Sequence, residues 1–534
     1  MKRRLAIIAA AAAAFALAKA DYEAAGRRWW AHIEYLASDQ MKGRQTGSKE
    51  YQKGADYVAA QLREIGVQPA GVDGGWFQPV QFRVRRLVDE KSSLALVENG
   101  KTEPLRLGVD AMIVPAVDAH ADLEAPLVFI GYGLKADEAK EDDLAGSDLR
   151  GRVAVYIASA PATITGPVRA HYQSAAQRWK ALRSAGAVGV IAIPLAASMD
   201  IPWDRMALSR FGPRMSLADP SMNETAGEQF TAVWNPEHVD ELLAGTGHSE
   251  TELASLAVAG KPLPHFPLRK EIRAHMDIET GEAQSPNVVG KLVGADPRLR
   301  NEYVVMSAHL DHLGVGAPIN GDAIYNGAMD NASGIASLIE VARALRSARL
   351  QRSVLFLAVC GEEKGLLGSR WYATHPTVPA ADIVADINVD MFLPLHPLHW
   401  IEVLGLNEST LGAAVQSAAK SEDVGVQADR QPERNLFIRS DQYSFIREGV
   451  PSLAFKFGFA PGSPEEKLQR EWLHTRYHAP SDDTKQPVDA QAAARFDAVV
   501  ARVIELVANN PARPQWTDTS FFRRFAHAPA GGSM

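Results

Sequence analysis

Apolar residues recur at helical spacing from Arg27 to Leu36 and again from Tyr51 to Ile65, and the loop between them, MKGRQTGSKEY, carries glycines that suit turns. This pattern predicts an opening helical pair. From about Val114 to Pro267 the texture changes. VFIGYG, GRVAVYIA and GAVGVIAIP are short β-branched runs bounded by glycine, with one helical pattern, QSAAQRWKALRSAG, among them. A small, mainly β insert is expected there. After SPNVVGKLVG the chain alternates strand and helix: YVVMSAH, SGIASLIEVARALRSA, SVLFLAVC, a short helix, then DIVADINVD. In the first of these helices Ile335, Leu338, Ile339, Ala342 and Leu345 share one face, as packing on a sheet requires. The alternation predicts an α/β fold with a doubly wound, largely parallel central sheet flanked by helices, interrupted by the smaller insert. A last helix over 490–508 turns Phe496, Val499, Val500 and Val503 inward, and the Pro-, Ala- and Gly-rich tail after Asn510 is expected to be loosely ordered.

A length of 534 residues exceeds what one hydrophobic core usually organises, so two domains are expected. The divisions read as a leader over 1–20, a first part of the main domain over 21–113, the insert over 114–270, a second part of the main domain over 271–510, and a tail over 511–534. The leader has a basic start (Lys2, Arg3, Arg4), an apolar stretch from Leu5 to Leu17 and a small-x-small end at Ala18-Lys19-Ala20, the form of a secretory signal peptide. The protein is therefore expected to be exported, to periplasm or medium, with no stable membrane insertion once the leader is removed. Taking the leader's four basic residues from the 56 Lys and Arg leaves 52 against 64 Asp and Glu, a formal charge of −12, which argues against a nucleic-acid partner. The single cysteine, Cys360, cannot form an internal disulfide and reads as a small buried hydrophobe at a strand end.

Chemistry gathers in the second half. SAHLDHLG places His309 and Asp311, NGAMDNASG places Asp330, CGEEKG places Glu362 and Glu363, NVDM places Asp390, and RYHAPSDD places His478. Several of these follow predicted strands, and in open α/β sheets function collects at the carboxyl ends of strands. Zinc prefers imidazole, carboxylate and thiolate, so with the thiol buried this chain must use His and carboxylates. Asp330 is placed to bridge two ions, with His309 and Asp390 completing one and Glu363 and His478 the other. Two Zn²⁺ then balance three carboxylates and one shared hydroxide, a neutral cluster that a partly buried pocket tolerates. Such a pair acidifies the bridging water. Glu362, beside a ligand on an extended backbone, points elsewhere and is the candidate general base. Asp311 is placed to accept the second His309 N–H and so fix the ring, and Asp482 is a weaker candidate for the same service to His478. Tyr477 could reach an oxyanion or simply pack. His312 and His474 stay outside the set, which is complete without them. The reading is of a hydrolase that attacks a peptide bond.

At these residues the chain resembles the co-catalytic di-zinc aminopeptidase family, relatives of bacterial leucyl aminopeptidase and glutamate carboxypeptidase. The resemblance runs from about ASDQMKGRQTGS through SPNVVGKLVG to YHAPSDDT. It implies a zinc exopeptidase fold, two Zn²⁺ per chain held by His309, Asp330, Glu363, Asp390 and His478, Glu362 as base and Asp311 as orienting acid. Met329 departs from the small polar residue usual before the bridging Asp. The insert, with GYG followed by DDLAGSDLRGRVAVY, is similar to a protease-associated domain. The implied substrate is a peptide with a free N-terminus. Met391, Tyr443, Phe457 and Phe459 are candidates for an apolar side-chain pocket. An alternative, a carboxypeptidase for acidic C-termini, would draw on Arg434, Arg439 and Lys456. A glutaminyl cyclase would need one zinc only, and a catalytically dead binding protein would have lost ligands that this chain keeps.

Overall fold

The computed structural model describes residues 22–164 and 166–526, so the expected leader lies outside the described residues. Two large sheets organise the chain. The larger, of ten strands, is centred on four parallel strands in the order Ser353–Val359, Tyr303–His309, Ile383–Val389 and Ser452–Gly458. Every residue of the first three is buried, as runs such as VVMSA and VLFLAV require: a parallel strand covered on both faces has no solvent side. Toward the margins pairing turns antiparallel. Ile278–Leu292 joins Ser353–Val359 on one side, and Trp400–Leu404 joins Ser452–Gly458 on the other. The expected parallel centre is present, within a mixed sheet.

Helices cover both faces. Val304, Met306, Val354 and Phe356 point into a core shared with Lys49–Ile65, Ser333–Leu345 and Ala490–Asn509; Val305, Leu355, Leu357 and Val359 point the other way, toward Tyr372, Ala373 and Phe445. The opening pair is observed as helices over 22–36 and Lys49–Ile65. The second starts where the Ser48 side chain accepts the Tyr51 N–H and stops at Gly66 in the left-handed region, two local signals that need no tertiary help.

The insert has its own eight-stranded sheet and its own core. Its extent differs from 114–270. Ser93–Glu98, Lys101–Leu105 and Ala111–Ile113 already belong to that sheet, and its strand His265–His275 runs past 270. These early strands follow Phe77–Leu87 without any change in local β character, so only pairing separates them. The insert is also less β than expected: four of its strands, Asp122–Ile130, Val153–Ile157, Gly189–Ile193 and Phe230–Trp234, are parallel and interleaved with helices. The expected single helix is two, Gly166–Gln173 and Ala175–Ser184, the second capped by Ser174. A long antiparallel ribbon, Phe77–Leu87 against Ile278–Leu292, carries the chain out to the insert, and the insert's Arg214–Leu217 returns to pair with Phe77–Leu87. This double attachment holds the insert beside the carboxyl ends of the central strands.

The tail is the other correction. Trp516 and Phe522 are buried with Phe437 and Ile438, and the Trp516 indole donates to the Gly449 carbonyl, so residues 511–526 are docked by aromatic burial; 527–534 lie outside the described residues. Cys360 is buried and free, as expected. Among the described residues no helix is long and apolar enough to cross a membrane.

Candidate metal centre

His309, Asp390 and the Glu362–Glu363 pair sit where buried strands end. His309 is the last residue of the central strand Tyr303–His309, Asp390 follows Ile383–Val389, and Glu362 and Glu363 follow Ser353–Val359 through the turn at Gly361. Asp330 lies just before the helix Ser333–Leu345, and His478 lies in the loop after Pro464–Thr475 with φ of 53°. Adjacent parallel strands end side by side at one edge of the sheet, and the loops that carry Asp330 and His478 fold over that edge, so the seven residues lie together there.

The distances form two sets around Asp330. His309 Nε2 lies 3.3 Å from Asp330 Oδ1 and 3.4 Å from Asp390 Oδ1. His478 Nε2 lies 3.3 Å from both Asp330 Oδ2 and Glu363 Oε2. Ligands on a tetrahedral zinc with bonds of about 2.0 Å are about 3.3 Å apart, so each set has the edge length of a zinc tetrahedron. Asp330 offers one oxygen to each. Burial lowers the proton affinity of the His478 ring, but the carboxylates of Glu363 and Asp330 outweigh it and raise the ring to about 10. His309 is raised well above its ordinary value against the same desolvation, by Glu362, Asp330 and Asp390. Imidazoles that hold a proton this strongly sit in a field that favours a divalent cation. The residues present fit zinc.

Glu362 Oε2 is 4.0 Å from His309 Nε2 and faces the cavity rather than completing either set. Burial, with Glu363 and Asp390 adding repulsion against the opposing pull of His309, pushes its carboxyl well above the usual carboxylate range.

Asp311 does orient His309, through a different atom from the one expected. The His309 Nδ1–H donates to the Asp311 backbone carbonyl at 3.1 Å, which fixes the tautomer and turns Nε2 to the metal side. The Asp311 carboxylate instead accepts from the Thr46 hydroxyl at 2.9 Å and from the Glu362 N–H at 3.2 Å. Asp482 does not serve His478. It accepts the Met329 and Asp330 N–H groups and the Gln486 amide, and so grips the backbone of the bridging residue. His312, set aside from the sequence, is fully buried in the cluster, with Nδ1 2.7 Å from Glu363 Oε1 and 3.7 Å from Asp330 Oδ2. His474 lies on Pro464–Thr475, where its carbonyl accepts from Arg205 of the insert.

Three residues that sequence reasoning passed over hold these segments together. Arg44 is fully buried and its guanidinium donates to the carbonyls of Leu36, Leu310, Asn326 and Gly327, so one side chain joins the His309 and Asp330 loops to the opening helix. Thr46 accepts the Gly361 N–H at 3.0 Å while donating to Asp311. Asn331 donates to the Val389 carbonyl and accepts from Gly334 and Met391, tying Asp330 to Asp390. Arg44 and Thr46 fall in the GRQTGS run, whose glycines signalled only turns. Gly327 has φ of 64°, and a Cβ there would stand 2.2 Å from the Asp330 carbonyl oxygen and 2.5 Å from the His312 ring, so this loop closes only with glycine.

The cluster opens on a cavity whose lining includes Asp330, Glu362, Asp390 and His478 together with Leu404, Leu436 and Phe459. Met391 and Phe459 line it as expected. Tyr443 and Phe457 do not. Tyr443 bonds His171 of the insert at 2.8 Å, and Phe457 packs in the core against Phe392 and Phe496. Tyr477 lines the cavity with its ring on that of His478, centroids 4.0 Å apart.

Residues 287–504 match the model of Peptidase family M28. A probable leucine aminopeptidase 2 from Aspergillus oryzae is 31% identical over 209 residues, 37% of this chain and 40% of that protein. A probable zinc metalloprotease from Pyrenophora teres f. teres is 34% identical over 105 residues, 20% of this chain and 22% of that one. The match spans 40%, 50% and 59% of the length of three curated relatives. The solved aminopeptidase from Aneurinibacillus sp. strain AM-1 superposes with a TM-score of 0.55 at 19% identity, covering 92% of this chain and 97% of that one, which shows a shared fold, the zinc exopeptidase fold expected from the sequence.

Proposed function

With residues 287–504 a peptidase family M28 segment, we propose that the protein is a zinc-dependent aminopeptidase that releases N-terminal residues from peptides. The observation that carries this is the pair of ligand sets sharing Asp330, with edges of 3.3–3.4 Å, beside a non-ligating Glu362 in one cavity. His309, Asp330 and Asp390 would hold one zinc, and His478, Glu363 and Asp330 the other. Two zinc ions there would acidify a shared water and polarise the scissile carbonyl. Glu362 takes the proton of the attacking water on its carboxylate and delivers it to the leaving amine nitrogen, so the same group ends the cycle as it began. The Asp311 carbonyl keeps the His309 ring in one tautomer throughout, and Thr46 keeps the Asp311 segment in place.

The carboxypeptidase alternative needs free cations for a substrate's acidic end. Arg434 and Arg439 are both paired with Asp200, and the Lys456 ammonium donates to the carbonyls of Asp390 and Met391. The excess of carboxylates around the cluster suits a substrate ammonium instead. The leader makes this an exported enzyme, in periplasm or medium.

Hydrolysis of Leu-, Phe- and Lys-anilides against their N-acetylated forms tests the reading, with metal content measured on the same sample. Cleavage of only the free amines, about two zinc per chain, and a loss of about 10²–10⁴-fold in kcat for Glu362→Gln are expected. Retained zinc with no cleavage of any free amine would refute the aminopeptidase assignment.

A further inference from the structure

Asp200 belongs to the insert, in the loop after the strand Gly189–Ile193, yet it lines the same cavity as Glu362 and His478. Its carboxylate is shared between two guanidinium groups of the peptidase domain: Oδ1 lies 2.7 Å from Arg434 Nη2 and Oδ2 lies 3.2 Å from Arg439 Nη1. Arg434 is further fixed by Gln431 at 2.7 Å. Neighbouring Arg205 of the insert donates to the carbonyls of His474 and Leu473, four and five residues before His478, so the Asp200 loop is anchored over the cavity on both sides. Two arginines converging on one carboxylate make a site built for a carboxylate, and here the insert fills it.

We propose that Asp200 is a specificity-determining residue: it occupies a two-arginine carboxylate site in the substrate cavity and thereby shuts out acidic substrate side chains, leaving the apolar wall of Leu404, Leu436 and Phe459 to select. A substrate carboxylate must displace a resident one that is already held in place by the chain, whereas an apolar side chain has no such competitor. This rests on the cavity receiving the side chain of the substrate's N-terminal residue. It also gives the insert a chemical role in the reaction, since the residue that sets the charge of the cavity lies more than two hundred positions from the arginines it masks.

The test uses the full-length, zinc-loaded protein and compares kcat/KM for Glu-anilide with that for Leu-anilide. Asp200→Ala and Asp200→Asn should raise the Glu-to-Leu ratio by about tenfold or more, the worth of a charge-assisted pair of hydrogen bonds, and adding Arg434→Ala should return the ratio toward wild type. Because the readout is a ratio within each variant, a general loss of folded protein does not move it. A ratio within about twofold of wild type in both Asp200 variants overturns the proposal. If wild-type protein cleaves neither anilide, the aminopeptidase reading fails and calorimetric titration with glutarate decides the masking instead: about tenfold tighter binding to Asp200→Ala than to wild type, lost with Arg434→Ala, supports it, and equal binding refutes it.

Discussion

Arg44→Lys keeps the charge and most of the length of the side chain at the centre of the site's scaffold but removes the planar fork. The guanidinium serves four carbonyls in three directions, those of Leu36, Leu310, Asn326 and Gly327, with Nη1 bridging Leu36 and Asn326 at 2.5 and 2.7 Å. An ammonium at the end of a single stem lies close to one or two of them. The Gly327 carbonyl keeps the Ala332 N–H, so at least one of the other three buried carbonyls is left without a donor, a destabilisation of at least about 1–3 kcal/mol. Burial already lowers the Arg44 pKa to about 10 against the raising influence of Asp482 and Asp311, and a lysine in the same place would be the more easily deprotonated. Because Leu310 sits between His309 and Asp311, and Gly327 three residues before Asp330, the loss falls on the ligand loops themselves. Urea denaturation at fixed zinc concentration should show the midpoint falling, and dialysis against a chelator should strip zinc faster than from wild type. A midpoint within about 0.5 kcal/mol of wild type, with zinc retained equally, would refute the account, because it would mean that those carbonyls do not depend on the fork.

Asp482→Asn should cost about 1–3 kcal/mol and weaken zinc binding by about 10–100-fold in competition with a chromogenic chelator, since an amide offers one acceptor oxygen where the carboxylate holds the Met329 and Asp330 N–H groups and Gln486 together. Zinc removal should lower the melting temperature in proportion to affinity, about 4 kcal/mol per site at a thousandfold excess over Kd, and readdition should restore it; an unchanged melt would count against a resident metal. His171, buried beside Tyr443 where the insert meets the main domain, is lowered to about 4 by burial, with Arg524 and Arg447 adding repulsion. Its native pKa is below its unfolded one, so its contribution is fully present above pH 6.5 and is lost as pH falls toward 4, about 3 kcal/mol in all. Urea midpoints measured from pH 7 to 4 should show that slope, and His171→Phe should flatten it.

The sequence by itself determined the elements that answer to local rules and to burial. Continuous runs such as VVMSA and VLFLAV can satisfy themselves only inside a two-sided sheet, Ser48 and Gly66 close a helix from their own chemistry, and strand-end His309, Asp390 and the Glu362–Glu363 pair inherit their convergence from parallel strands whose ends must lie side by side. That is why the seven residues singled out by motif lie together. What only tertiary structure decided are contacts between segments with no fixed spacing. The hydrogen bond from His309 goes to the carbonyl rather than the carboxylate of Asp311 because Thr46, more than 250 residues earlier, occupies that carboxylate. Asp482 holds the backbone of Asp330 rather than the His478 ring because the two loops cross there. The insert begins before 114 and ends after 270 because strand pairing, not composition, divides one β-rich stretch between two sheets. Asp200 reaches Arg434 and Arg439 only because the ribbon Phe77–Leu87 against Ile278–Leu292 folds the insert back over the strand ends. Local pattern fixes what each segment is; side-chain length and chain crossing fix which segment a polar atom meets, and that information is stored in the packed molecule alone.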